Sequence, residues 1–101
     1  MKGLAIGTAA AVSLLLAVGG AVAEEPVDVE ILAGTCAGCH GAELQGAGAV
    51  PRLRGHSADY LRFTLQSFKS GERPATVMDR LARGYRDAEI EALALYLSEL
   101  E

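Results

Sequence analysis

Cysteine is scarce in this chain: Cys36 and Cys39 are the only two among 101 residues. That count leaves a zinc ribbon short of the further Cys or His pair that it needs. A disulfide across so short a loop would close little chain and add little stability. Strand signals are missing as well, because no segment alternates apolar and polar residues convincingly, and the stretches around the cysteines are Ala-rich, Leu-rich and helical in period. A thioredoxin-like pair set in a βαβ unit is excluded by the same pattern. Repeats, low-complexity tracts and Pro-rich linkers are absent, so a second domain is not in question. Lys and Arg do not occur from 24 to 51 or from 87 to 101, and the basic stretch between is not interleaved with stacking aromatics. With an acidic total charge of −4, nucleic acid is not a partner.

What is present is concentrated in five residues, Cys36-Ala37-Gly38-Cys39-His40. Two thiols at this spacing take up the two vinyl groups of one haem, and the imidazole that follows at once is placed to ligate its iron. The motif predicts one covalent haem c, with Cys36 and Cys39 as thioether sites and His40 as the proximal axial ligand. Electron transfer is the default function of that cofactor. The N-terminus agrees. Lys2 precedes an uncharged, mostly apolar run, and Ala21-Val22-Ala23 before Glu24 is a small-x-small pattern of the kind a signal peptidase cuts. The expectation is residues 1–23 as a signal peptide, export to the periplasm, and a mature domain over 24–101. The alternative is an uncleaved anchor, since the 21 residues from Gly3 to Ala23 could span a bilayer. A domain of 78 residues builds a marginal core by itself, so the haem would act as its staple.

The mature chain reads as helices and loops. Pro26 suits a first helical turn, with Glu24, Glu25, Asp28 and Glu30 at the end where the helix dipole favours negative charge. This first helix is expected to run to the haem motif with Val27, Ile31 and Thr35 pointing inward. From Gly41 to Gly55 the composition turns to Gly, Ala and Pro, a loop wrapped against the haem. Ser57 can cap a helix from Ala58 to about Ser70, and Gly71 stands where a left-handed residue ends it. Its Leu61, Leu65 and Phe68 are read as core. A short helix follows Met78 and stops at Gly84. The last helix starts near Asp87, buries Ile90, Leu93, Ala94, Leu97 and Leu100, and packs across the first.

A second axial ligand is wanted, and Met78 is the one methionine left after signal removal, 38 positions beyond His40. Its thioether is the expected sixth ligand, because His/Met pairs serve c-type haems. The competitor, His56, lies in Gly55-His56-Ser57 and is expected to face solvent. With the cysteines and His40 committed to haem, no nucleophile–base set is available, so no catalytic residues are expected in this chain.

The order Cys36-x-x-Cys39-His40-Gly41, Pro51-x-Leu53-x-Gly55, Tyr60-Leu61, Phe68-x-x-Gly71-x-Arg73, Met78 and a closing helix with Tyr96 resembles a small bacterial class I cytochrome c. The resemblance implies an all-α fold, helices and loops wrapped around one covalent haem, with His40 and Met78 as axial ligands. It also implies that the Pro51 carbonyl steadies the His40 ring. The first helix departs from the pattern in lacking the glycine and aromatic expected at its crossing with the last. Gly71-Glu72-Arg73 and the stretch from Met78 to Tyr85 are similar to the cytochrome subunit of flavocytochrome c sulfide dehydrogenases. That likeness implies an FAD-containing flavoprotein partner that oxidises sulfide, and a downstream cytochrome as acceptor. A free carrier of the c4 or c553 type is the alternative. Eight basic residues stand against three acids from Arg52 to Arg86, with five acids in each flank. This asymmetry would either steer partners through a dipole or be spent on solvated helix faces.

Overall fold

The structure, a computed structural model, describes residues 3, 5, 7, 9–14 and 25–101. The expected cut between Ala23 and Glu24 lies outside the described residues. No helix among those described is long and apolar enough to cross a membrane.

Among the described residues four helices form: α1 (Val29–His40), α2 (Ala58–Ser70), α3 (Met78–Arg83) and α4 (Asp87–Ser98). The class is all-α, and the sole extended pairing among the described residues is an isolated bridge between Ala47 and Val50. Local chemistry sets the helix ends. Asp28 accepts a hydrogen bond from the Ile31 backbone N–H at 3.2 Å, so α1 starts three residues beyond Pro26, which stays outside it. Ser57 accepts from the Tyr60 N–H at 3.1 Å, and Gly71, with φ of 81°, ends α2 as expected. Glu89 reaches back to accept the Arg86 N–H at 2.8 Å, satisfying a donor at the start of α4.

The inward face of α1 differs from the sequence expectation. Ile31 is 69% exposed and Thr35 is exposed, whereas Ala33 and His40 are buried and Val29, Leu32, Cys36 and Ala37 pack on the core. A helix has one core-facing stripe. The stripe through 29, 33, 36 and 40 turns the haem motif inward, which rotates Ile31 and Thr35 away, while Val27 precedes the helix and is half-buried. α4 supplies the centre of the core, with Ile90, Leu93, Ala94 and Leu97 all buried, and it packs on both α1 and α2 while α3 packs on α2. Beside the crossing of α1 and α4 lies a cavity of about 250 Å³ lined by Ala33, Gly34 and Ala37 from α1 and by Tyr96. Gly34 is exposed and a Cβ there would meet nothing within 4 Å, so no glycine of α1 makes a close approach at this crossing, and the aromatic beside it, Tyr96, comes from α4.

Candidate cofactor site

The loop after α1 folds back over the end of that helix. The Gly46 N–H donates to the His40 carbonyl at 2.7 Å, and the Leu53 N–H donates to the Leu44 carbonyl at 2.9 Å. Gly46 adopts φ of 75°, and a Cβ there would lie 2.7 Å from both the Arg52 nitrogen and the Val50 carbonyl oxygen, so the turn requires glycine. The tight turn sets the Pro51 carbonyl on the His40 ring, 2.6 Å from Nδ1. A carbonyl can only accept, so Nδ1 carries the hydrogen and Nε2 keeps its lone pair. The ring is held by a group outside its own helix and is 6% exposed. The Pro51 role that the family resemblance implied is thus present.

His40 borders a cleft of about 760 Å³ between the end of α1, the loop, α2 and α3. Cys36, Cys39 and Met78 line the same cleft, so the structure brings all four expected site residues together. Leu53, Leu61, Leu65, Phe68, Leu93 and Leu97 make its walls apolar. Leu61 is buried, but Leu65 and Phe68 are half-buried cleft residues rather than plain core. Their helical spacing identified the apolar face without distinguishing a core partner from a bound apolar group. Met78, half-buried, is the first residue of α3.

Burial pushes the Cys36 thiol above its ordinary pKa, against smaller lowering contributions from Thr35 and its own backbone. Cys39 is exposed. Tyr85 lies beside Thr35 and Cys36, and burial pushes its phenol up as well. His56 corrects another expectation. It is half-buried, lines the cleft, donates from Nε2 to the Arg52 carbonyl at 3.0 Å and packs on the Tyr60 ring with centroids 4.8 Å apart.

These residues fit a haem c. A planar, largely apolar macrocycle suits the walls, the thiols stand on one edge, and a ring nitrogen with a free lone pair borders the cleft. One wall also holds the Thr64 hydroxyl oxygen, buried without a hydrogen-bond partner, as expected of a surface shaped around a bound group.

Comparison with known proteins agrees. The family model for cytochrome c matches residues 29–101. The cytochrome subunit of sulfide dehydrogenase from Chlorobaculum tepidum is 42% identical over 71 residues, covering 70% of this chain and 64% of that protein. The chain therefore spans a little under two thirds of that relative. Cytochrome c-554(548) from Halomonas halodenitrificans is 38% identical over 72 residues, covering 67% of this chain and 87% of that one. A solved structure of Acidithiobacillus ferrooxidans cytochrome c4 has a TM-score of 0.62 and 40% identity, covering 64% of this chain and 38% of its own. The chain belongs to the cytochrome c family: it is a c-type cytochrome whose Cys36 and Cys39 mark the attachment of one covalent haem c.

Proposed function

We propose that His40 Nε2 and the Met78 thioether are the two axial ligands, and that the chain accepts electrons from a flavoprotein that oxidises sulfide. Haem c supplies a one-electron iron couple. The chain's own contribution is rigidity and dryness. The Pro51 carbonyl, 2.6 Å from His40 Nδ1, fixes the tautomer and orientation that ligation needs, and this contact carries the reading. The apolar walls would exclude water from the bound haem, and a Met78 thioether serving with His40 would favour the reduced iron; both would raise the potential.

The named activity of the Chlorobaculum tepidum relative supports the flavoprotein partner, in which an FAD would pass electrons to this haem and a further cytochrome would receive them. The near-full coverage of the Halomonas halodenitrificans cytochrome supports the second reading, a freely diffusing carrier. Covalent haem c is attached outside the bacterial cytoplasm, which with the Ala21-Val22-Ala23 pattern supports export, cleavage after Ala23 and a periplasmic domain over 24–101. Gentle purification from the native periplasm tests the partner. The subunit reading predicts about one flavin per haem and reduction of the haem on adding sulfide. Haem without flavin, and no reduction by sulfide, would establish the free carrier.

A further inference from the structure

The cavity beside the crossing of α1 and α4 shares no lining residue with the cleft. Its apolar walls are Ala33, Gly34 and Ala37 of α1, Leu44 of the loop, Tyr96 of α4 and Leu100 just beyond that helix. Ala33 and Leu44 are buried, and Tyr96 and Leu100 are half-buried. An apolar cavity of about 150 Å³ is large enough to take benzene. This one, at about 250 Å³, admits a six-membered ring with a substituent.

One group in this wall has hydrogen-bonding capacity left over. Arg54 donates from Nη1 to the carbonyl and the carboxylate of Glu43, both at 3.2 Å, but its Nε is buried without a partner. A guanidinium N–H in that position has lost water and gained nothing for it, so it calls for an oxygen acceptor. The surrounding charge selects which kind. Glu43 already answers the Arg54 charge, and Glu30 stands exposed at the same cavity. An anion would add a third negative charge beside one guanidinium, and a cation would meet the Nε–H. A neutral oxygen satisfies both.

We infer that this cavity is a binding site for a neutral, single-ring aromatic molecule bearing an oxygen acceptor, the chemistry of a phenol. The ring lies against Ala33, Ala37, Leu44 and Tyr96, and the oxygen receives the Arg54 Nε–H. The site is independent of the haem cleft and of the identity of the electron donor. It reaches the cofactor through one connection. Leu44 and Arg54 flank the loop that carries Pro51, and that loop is closed by the hydrogen bond from the Leu53 N–H to the Leu44 carbonyl, 2.9 Å long. An occupied cavity therefore braces the loop that holds the His40 ring.

The test titrates the isotope-labelled ferrous holoprotein with phenol, toluene and benzoate while its amide chemical shifts are followed. Phenol should shift the Gly34, Leu44 and Tyr96 amides saturably, leave those of Cys39 and Thr64 unmoved, and slow hydrogen exchange at the Leu53 amide. Toluene, of the same size without the acceptor, and benzoate, with a charge, should each bind about tenfold more weakly or worse. Arg54→Lys keeps a cation for Glu43 but lacks the Nε–H, and should bring phenol down to the level of toluene. Gly34→Phe, at an exposed position where an added Cβ meets nothing within 4 Å, lays a ring over the cavity and should abolish binding, whereas Gly34→Ala should not. Should the lysine variant not accumulate, phenol against toluene on the wild type decides the role of the donor. Equal affinities for phenol and toluene, or unimpaired binding to Gly34→Phe, would overturn the assignment. So would the absence of saturable shifts at these amides, which would leave water as the partner of Nε. Exchange at Leu53 that ignores saturating phenol would refute the brace.

Discussion

His40 shows how a single side chain is held in one orientation by its neighbours. The imidazole ends α1, but the group that orients it comes from Pro51, eleven residues on, and the turn between them depends on Gly46. Gly46→Ala would place a methyl 2.7 Å from two backbone atoms in a left-handed conformation, at a cost of about 1–3 kcal/mol. The expected outcome is a lower urea midpoint for the holoprotein together with a weakened ligand field at His40, read from its spectrum; an unchanged midpoint would mean that the turn relaxes freely. At this scale the sequence was unevenly informative. The Cys-x-x-Cys-His motif names its own chemistry, and the family resemblance supplied Pro51. The position of His56 was hidden, because Gly55-His56-Ser57 looks like solvent-facing loop until the Arg52 carbonyl and the Tyr60 ring are brought to it.

Among the elements, α2 was readable to the residue because its signals are local: Ser57 caps one end, and Gly71 closes the other. α1 was readable as a helix but not in its rotation. Its core-facing stripe is chosen by Cys36, His40 and the surface of α4, none of which Val27, Ile31 and Thr35 report. The seam between α2 and α4 is tied by Arg62, which donates to Glu91 at 2.7 Å and to Asp59 at 2.6 Å, and by Lys69, which donates to Asp87 at 3.0 Å. Arg62 holds the Glu91 carboxyl below its ordinary pKa, and Lys69 does the same to Asp87. A carboxyl depressed in the folded state contributes stability above its unfolded pKa and loses it as pH falls through the folded value. The seam thus weakens in acid. Arg62→Met is expected to lower Tm slightly at neutral pH and to make the decline between about pH 5 and pH 3 shallower. Thermal melts of the holoprotein over that range check this, and parallel curves for the two proteins would remove the seam from the acid response.

Across the whole molecule, folding redistributes the charge asymmetry of the sequence. Arg54, Arg62 and Lys69 of the basic segment are spent on Glu43, Glu91 and Asp87 of the acidic flanks, so a large part of the apparent dipole is internal pairing. That outcome could not be read from the order of charges, since it depends on which segments the fold places side by side. The overall class could be read, because the helix-capping signals, the single haem motif and the small size all pointed the same way. The cleft is where these levels meet: α1 presents the thiols and His40, the loop holds the ring, and α3 begins with Met78. The measurement that tests this most directly is the spectrum and midpoint potential of Met78→Ala beside wild type. The account predicts that wild type shows the sulfur-to-ferric-iron charge-transfer band, and that the variant loses it, shifts its equilibrium toward ferric by at least tenfold, and binds added imidazole at the opened position. A variant that keeps the band and the potential would contradict it.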